Sequence, residues 1–408
     1  MTPIAIEFPG IGVYEREWLE AHPEQAQDLL RQAKGHYPVC QCRSPGSPLY
    51  IAQRSKFYLA RLPNTGPQHA PQCPSYEPEP SLCGRGIYSP KALEERGDGR
   101  LQIKLSTPLS IRGTSGVPRT SLTVPAAGER LYRDTMGLRG LLHLIWERAE
   151  LNRRRQGQTD KPRYAQVYRA ILDAAEALSV RHVSLTRYLF VPEPFDKAVS
   201  LEIEARRQKA LRERSGTAGG VPMRVLVLGQ LRNIVQLKPE VCGVALSHLP
   251  REFLIRVPKP VLSRLYHESE FAWVDFPTLS YDFKLIVLFA MQRSRLGHWS
   301  AEELTGLITT QEYLPVLSME EALLTQRLVA RGRGFHKPLP YEAPASRLPN
   351  LLLTDCGASC VPIEIIADRE DEAAARQSRI SQYDGTTAFW LWDCAQHALP
   401  PDLMAPAQ

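Results

Sequence analysis

The chain has 408 residues, which is too long for one compact core. Its composition, 23% charged and 43% hydrophobic residues, is ordinary for a folded protein. Its 50 Lys and Arg against 44 Asp and Glu give a net charge of +6, which excludes a strongly acidic protein and is compatible with a nucleic-acid partner. No basic segment followed by an apolar core opens the chain, and the longest apolar run, Leu285–Met291, is far shorter than a membrane span. The eight cysteines are clustered, which suits metal ligands in a reducing compartment. These features predict a cytoplasmic protein without a membrane partner.

The N-terminal segment predicts a helix followed by a small metal-binding hairpin. Residues 15–34 have a helical apolar stripe, with Pro23 in a first turn and Gly35 at the end. Four soft metal ligands follow in a C-x-C … H-x3-C arrangement: Cys40, Cys42, His69 and Cys73. Between the two pairs, Leu49–Gln53 and Phe57–Leu62 read as strands joined by a tight turn. A hairpin returns the chain to its start, so ligands that are distant in sequence become neighbours.

This pattern predicts a structural zinc site of the zinc-ribbon type. Four protein ligands favour a closed structural site, because a catalytic zinc keeps one position for water. Two alternatives remain open at this stage. In the first, the cysteines and the histidine are ordinary small core residues and a surface side chain. In the second, Cys83 replaces His69 or Cys42 as a ligand.

The middle of the chain alternates between loop-rich, helical and β-rich segments. Residues 77–130 are rich in Pro, Gly, Ser and Thr, with short strands predicted at Leu101–Leu105 and Ser121–Val124. Helices are predicted from about residue 135, over Tyr164–Leu178 and over the charged segment 196–214. The basic loop between the first two helices is compatible with part of a helix-turn-helix or with a plain helical domain.

Residues 222–291 contain short apolar runs typical of strands, one of them at 271–276. The run DFKLIVLFAM, residues 282–291, is compatible with a buried strand or a buried helix, since periodicity alone does not separate the two. Trp299–Ile308 is predicted to be a short helix.

The C-terminal unit predicts the order helix, three strands, helix, strand. Ser318 and Glu321 have the spacing of a capping box, so a helix is expected to begin there and to end near Arg331. The further elements are strands at Phe335–Tyr341, Leu348–Leu353 and Val361–Ile366, a helix at about Asp371–Gln382 and a strand at Thr387–Trp392.

This order resembles the αβββαβ core of the restriction-endonuclease-like, PD-(D/E)xK, superfamily. The resemblance implies a Pro-Asp on the second strand and an acidic-x-Lys on the third; here Pro349-Asn350 and Glu364-Ile365-Ile366 fall at those places. Two carboxylates are needed to hold Mg²⁺ and a lysine to steady the attacking water. The candidates that remain are Glu364, Asp355 and Glu321, with Asn350 at the Pro-Asp position and Arg376 or Arg379 in place of the lysine. The expected fold is therefore nuclease-like with a degraded active site.

A second metal site is conceivable near the C-terminus if the ends of the predicted strands meet. Its ligands would be Cys356, Cys360, Cys394 and His397. Ordinary buried cysteines explain the same residues, and the spacing favours that simpler interpretation.

Several distinctive segments are distributed over most of the chain: CQC, RLPNTGPQHAPQC, LLHLIWERAELN, RYLFVPEPFD, ALSHLP, KPLPY and LPNLLLTD. Together these segments resemble an uncharacterised bacterial family, domain of unknown function 1173. The resemblance implies a setting on integrative and conjugative elements of bacteria and leaves the mechanism open. Where members of that family look like they carry the Pro-Asp of the nuclease motif, this chain has Pro349-Asn350.

Together these features predict an α+β multidomain protein. The expected units are a zinc-ribbon-like domain at 1–90, a loop-rich β connection at 91–134, a basic helical domain at 135–218, a β-rich domain at 219–315 and a nuclease-like domain at 316–408. The leading hypothesis is a zinc-stabilised protein of a mobile element that binds DNA or RNA without efficient cleavage. The alternatives are an active Mg²⁺-dependent nuclease and a scaffold for protein partners in a conjugation or defence assembly.

Overall fold

A computed structural model of the chain describes residues 3–400, except 54, 97–99, 112–131, 219, 268–281, 295, 368–373, 375, 379, 382, 384–387 and 398–399. The fold is α+β with several separate sheets, as predicted. Among the described residues no helix is long and apolar enough to cross a membrane. The strands predicted at Ser121–Val124 and 271–276 lie outside the described residues, as does much of the helix predicted at 371–382.

The N-terminal unit is a five-stranded antiparallel sheet covered by two short helices. Its elements are β1 (Ala5–Phe8), β2 (Gly12–Glu15), α1 (Arg16–Ala21), α2 (Pro23–Gln32), β3 (Val39–Cys40), β4 (Ser47–Gln53) and β5 (Phe57–Arg61). The strand order is β2-β1-β3-β4-β5, and the predicted hairpin is β4–β5. The predicted single helix is divided in two because Pro23 begins the second helix. The core is small, with Ile6, Phe8 and Leu49 at its centre.

A four-stranded sheet and three helices follow. The elements are β6 (Leu93–Glu95), β7 (Leu101–Ile103), α3 (Leu138–Arg148), β8 (Arg153–Arg154), α4 (Tyr164–Glu176), β9 (Leu178–Val180), β10 (Val183–Ser184), β11 (Leu189–Phe190) and α5 (Ser200–Arg214). The sheet order is β10-β9-β7-β6. Helix α3 is buried along almost its whole length, which its Leu- and Trp-rich sequence explains.

The centre of the molecule is a closed five-stranded barrel. After the small pair β12 (Thr217–Ala218) and β13 (Val221–Pro222), the elements are β14 (Val225–Lys238), β15 (Val241–Leu246), β16 (Leu254–Pro258), α6 (Lys259–His267), β17 (Phe283–Arg293) and β18 (Trp299–Thr310). The pairing runs β14-β15-β16-β18-β17 and closes through β17–β14. Only the β16–β18 pairing is parallel within this ring, and α6 connects the third barrel strand to the fourth.

Strand β17 resolves the ambiguity of the apolar run at 282–291. Its side chains alternate between two cores: Leu285, Val287 and Phe289 fill the barrel, whereas Ile286 and Leu288 pack outside with helix α3. A strand that is buried on both faces has no polar alternation, so its sequence period is lost.

The prediction of a helix at Trp299–Ile308 is wrong, because this segment lies in strand β18. The Ala301-Glu302-Glu303-Leu304 segment favours a helix locally. Pairing with β17 along Trp299–Thr310 overrides that preference, helped by β-branched threonines at the end of the strand.

The C-terminal sheet has the strand order β22-β21-β20-β19-β8. Its elements are α7 (Met319–Ala330), β19 (Phe335–His336), β20 (Leu351–Leu353), β21 (Val361–Ile366) and β22 (Trp390–Asp393). Strands β19, β20 and β21 are antiparallel neighbours, and β22 is parallel to β21. The predicted start of this helix is confirmed, since Ser318 is its N-cap and Ser318 Oγ accepts a hydrogen bond from the Glu321 N–H at 3.2 Å. The reciprocal half of the predicted capping box differs, because the Glu321 side chain accepts from the Leu317 N–H and not from the N–H of Ser318. The fifth strand, β8, comes from far upstream in the chain.

Candidate metal centre and buried C-terminal carboxylates

The four predicted metal ligands lie together at one end of the N-terminal hairpin. Their ligand atoms are all within 4.8 Å of one another. Cys40 ends β3 and Cys42 lies two residues further along the chain, while β4 and β5 carry the chain out and back. His69 comes after one tight helical turn, and the Cys73 N–H donates to the Ala70 carbonyl at 2.8 Å, which curls the second ligand pair towards the first.

The separations between the ligand atoms fit a tetrahedral ion. Cys40 Sγ lies 3.7 Å from Cys73 Sγ, and His69 Nδ1 lies 3.4 Å from Cys42 Sγ and 3.7 Å from Cys73 Sγ. Ordinary zinc–sulfur and zinc–nitrogen bond lengths place tetrahedral sulfurs about 3.8 Å apart and sulfur and nitrogen about 3.6 Å apart. A disulfide needs about 2.05 Å, so the cysteines are present as free thiols.

The surroundings of the four ligands also suit zinc. Backbone N–H groups donate to two of the sulfurs, from Ala70 to Cys42 at 3.3 Å and from Ser75 to Cys73 at 3.4 Å. Such outer contacts orient thiolate ligands and offset their charge. The imidazole of His69 is fully buried, and its Nε2 has no hydrogen-bond partner among the described residues, so Nδ1 is the nitrogen that faces the sulfurs.

The thiols within the cluster polarise one another. Hydrogen bonds with Cys42 and Cys73 raise the pKa of Cys40, while hydrogen bonds from Cys40 and Cys73 lower the pKa of Cys42 to about 3. Hydrogen bonding from its neighbours thus favours the thiolate form of Cys42, and thiolate is the form that binds metals.

Cys83, the spare ligand considered from the sequence, does not join this group. It is buried elsewhere, next to Gly84, whose N–H donates to the Leu339 carbonyl. Burial raises the pKa of the Cys83 thiol, which keeps it neutral. Its role is that of a small packed side chain.

Cys356, Cys360, Cys394 and His397, the alternative ligands of a second site, form no cluster within the described residues that could hold a metal. Within the described parts of the chain, only the N-terminal four bring together three or more Cys, His, Asp or Glu ligand atoms in that way. Cys360 donates instead to the hydroxyl of Tyr76 at 3.0 Å, and Cys356 lies against the Arg333–Asp355 pair.

Glu321 and Asn350, two of the candidate catalytic residues, meet in the C-terminal region. The Asn350 amide donates to Glu321 Oε1 at 2.8 Å, and the Lys337 ammonium donates to the same oxygen at 2.7 Å. The other oxygen of Glu321 accepts from the Leu317 N–H at 2.8 Å. Asn350 Oδ1 accepts from the Ile365 N–H, which ties this group to β21. The carboxylate of Glu321 is thus neutralised and hydrogen-bonded on both oxygens.

Asp355 and Glu364 have their own cationic partners. Arg333 forms a two-pronged contact with Asp355, at 2.7 Å and 2.8 Å, and the Gly334 N–H adds a third hydrogen bond. Arg376 donates to Glu364 Oε2 at 2.7 Å, and the Tyr383 hydroxyl donates to Oε1. Both carboxylates are fully buried.

Sequence reasoning identified the acidic residues and missed most of their partners. Arg376 is among the sequence candidates, as a replacement for the lysine, whereas Lys337, Arg333 and Tyr383 are not. The signal for Lys337 was a lone lysine inside the apolar segment 335–341. A charged residue within a predicted buried strand requires a buried counter-ion.

The comparisons with known proteins identify a family and no activity. No curated protein and no solved structure matches the chain. A family model described as "Protein of unknown function (DUF1173)" matches residues 14–395, which include the candidate metal centre and the buried carboxylates. The chain belongs to the DUF1173 family.

Proposed function

We propose that this protein is a zinc-stabilised, nucleic-acid-associated protein of a bacterial mobile element, with a nuclease-like C-terminal region that does not cut efficiently. The observation that carries the association with nucleic acid is the strand order of the central barrel. The metal centre supports the structural role of zinc, and the ion pairs of the C-terminal carboxylates support the lack of cleavage.

The zinc would be held by Cys40, Cys42, His69 and Cys73. It would supply cross-links to a unit whose own core is small, because metal binding in such units contributes directly to the free energy of folding. Four protein ligands leave no position for a reacting water, so the role is structural.

We expect about one zinc per chain by elemental analysis of protein purified without added metal. The Cys73→Ser variant should lose this zinc and unfold at a lower temperature. Cys242→Ser, which changes a half-buried cysteine on the barrel, is the matched control and should keep both. Absence of bound zinc in the unchanged protein would refute the structural metal.

The barrel has the arrangement of oligonucleotide- and oligosaccharide-binding barrels. Numbered from β14, its strands pair in the ring 1-2-3-5-4-1, the third and fifth are parallel, and a helix lies between the third and fourth. The first strand is long and irregular, and it pairs with β17 through its first half and with β15 through its second. Barrels of this kind bind oligonucleotides on the outer face of the second and third strands.

The corresponding outer face belongs to β15 and β16, whose one charged residue is Arg256. Gly243 and Arg256 are paired across these strands, and Arg256 is half-buried without a hydrogen bond or ion pair to any described residue. Between Val225 and His267 the sequence has six Lys or Arg and two Asp or Glu, a difference of +4. This charge favours the sugar–phosphate backbone of nucleic acid over a neutral sugar polymer.

Fluorescence anisotropy with labelled single-stranded and duplex DNA, titrated with salt from about 50 mM upwards, tests the association. We expect the protein to bind DNA with an affinity that falls as the salt concentration rises. Arg256→Gln should weaken this binding by about tenfold, because it removes a contact between a half-buried guanidinium and the DNA phosphates. Arg169→Gln, an exposed change on α4, is the control. Lack of binding even at the lowest salt contradicts the proposal.

The enzyme alternative, an active nuclease using Glu364, Asp355 and Glu321, needs carboxylates that are available to Mg²⁺. Each of the three is already paired or hydrogen-bonded to a cation, and the described residues bring no group of them to metal-binding distance. Plasmid nicking with Mg²⁺ or Mn²⁺ should therefore not exceed that of Glu364→Ala. Nicking that disappears in this variant would establish the enzyme.

A further inference from the structure

A cavity of about 540 Å³ opens beside the four-stranded sheet β10-β9-β7-β6, away from the metal centre and the C-terminal carboxylates. We call it the basic cavity and define it by Lys91, Lys104, Arg181, Leu105, Tyr188 and Met223, which are part of its lining. Its size falls within the range of pockets that hold small organic ligands.

The register of the sheet brings three cations to the cavity. The Lys104 N–H bonds to the carbonyl of Ala92, which places Lys104 beside Lys91. Strand β9 runs parallel to β7 with Val180 opposite Ile103, so Arg181 follows β9 where Lys104 follows β7. All three side chains are exposed, and they form no hydrogen bond or ion pair with the described residues.

The balance of charge around the cavity is positive. Arg96 adds a fourth cation, while Glu94 is the one acidic side chain among the described lining residues. Unpaired cations that share a concave surface repel one another and attract anions, an effect that the low-dielectric walls of a cleft strengthen. The rim is therefore suited to a multiply charged anion such as a phosphate chain.

The remaining lining is apolar and includes an aromatic ring. Leu105, Leu109 and Met223 contribute aliphatic surface, and Tyr188 contributes a half-buried phenol ring. A small inorganic anion would leave this surface in contact with water. A ligand with a flat apolar body and a phosphate group would cover both parts.

Two consecutive residues with strained backbone conformations lie at the same place. Arg181 and His182 form the two-residue turn between β9 and β10, and both have positive φ, 50° and 67°. Such turns favour Asn-Gly, because side chains with a Cβ are strained in this conformation. Gln102 holds the turn by accepting from the His182 N–H at 3.3 Å, and the Arg96 guanidinium donates to His182 Nδ1 at 2.8 Å. Strained residues that are held by their neighbours are common at ligand sites.

We infer that the basic cavity binds a nucleoside phosphate, with the phosphates on Lys91, Lys104 and Arg181 and the base against Tyr188 and Met223. The ligand can be a free nucleotide or a nucleotide within a single strand, because both present the same chemistry. This inference does not depend on nucleic-acid binding by the barrel, since the protein can bind a ligand in the basic cavity without binding nucleic acid at the barrel.

Two probes with the full-length, zinc-loaded protein separate the two sources. One is a fluorescent ATP analogue, and the other is a labelled oligothymidylate about 15 nucleotides long. We expect saturable binding of at least one probe, weakened about tenfold or more in Lys104→Glu/Arg181→Glu. ATP binding alone identifies a free nucleotide, and oligothymidylate binding alone identifies a strand.

Lys197→Glu/Lys209→Glu is the matched control, because it reverses two exposed cations near and on α5 and produces the same change in net charge. It should weaken neither probe more than about twofold. Zinc content and circular dichroism show whether Lys104→Glu/Arg181→Glu folds. If it does not fold, Lys104→Gln/Arg181→Gln is measured in its place. Failure to bind either probe overturns the site, and so does an equal loss in the control. Binding that is lost in Arg256→Gln but not in the Lys104/Arg181 variants supports the barrel and also overturns the cavity.

Discussion

Glu321 forms a buried ion pair with Lys337. Its carboxylate and the Lys337 ammonium are both almost fully buried, and Asn350 contacts the carboxylate as well. Removing one member of such a pair leaves the other charge in a poorly solvated place, which is more costly than the net stabilisation that the pair provides.

We expect Glu321→Gln to lower the free energy of unfolding by about 3–5 kcal/mol, because Lys337 loses its counter-ion. Glu320→Gln changes the adjacent, half-buried glutamate, which forms no ion pair with the described residues, and should change stability by less than about 0.5 kcal/mol. Urea denaturation of both variants measures the difference. A small effect at Glu321 would mean that the ion pair does not persist in solution.

At the scale of single residues, the sequence could predict the metal ligands because their spacing is local. Cys40 and Cys42 are separated by one residue, and His69 and Cys73 by three, so a hairpin alone brings the pairs together. The partners of Asp355 and Glu364 depend on where separate elements pack. Arg333 and Tyr383 lie 22 and 19 residues from their partners in the sequence, and no short pattern encodes those contacts.

Among the elements, the β9–β10 turn has a conformation that its sequence does not favour. His182→Gly should therefore stabilise the protein by about 1 kcal/mol relative to His182→Ala, since both variants lose the imidazole and only glycine relieves the positive φ. Thermal and urea unfolding of the two variants make the comparison. Equal stability would show that the turn relaxes without cost.

The elements that the sequence predicted well are those with a local signal. Ser318, as an N-cap residue, marks the start of α7, and two short apolar runs joined by a tight turn mark β4 and β5. The sequence predicted a β-rich domain but not a barrel, because closure of the sheet depends on which strand edges pair in the folded protein. Strand β18 is the clearest example: its helix-forming first half becomes extended through pairing with β17.

Across the whole molecule, buried neutral histidines link stability to pH. Burial lowers the pKa of His336 to about 4 and places the pKa of His143 well below 6.5. Each ring accepts a hydrogen bond, His143 from the Tyr341 N–H and His336 from the Asn152 amide, so protonation would break these contacts. The unfolded chain has no such restriction and protonates near pH 6.5.

The sign follows from these pKa values: the unfolded state binds more protons below pH 6.5, so stability is lost as the pH falls towards 4. Each histidine should lower the free energy of unfolding by about 1.3 kcal/mol between pH 7.5 and pH 5.5. His336→Gln, measured with zinc kept saturating, should reduce this dependence by about half of the total for the two rings. An unchanged pH profile would assign the effect to other groups.

The strand β8 has a consequence for any attempt to dissect the molecule. It is supplied by Arg153–Arg154 and completes the C-terminal sheet by pairing with β19, while Arg43 and Tyr76 contact the β20–β21 loop from the N-terminal unit. A fragment starting near residue 316 would lack this border strand and present the unsatisfied backbone of β19 to other chains. Such a piece should self-associate, and adding residues 150–158 in trans as a peptide should restore its solubility.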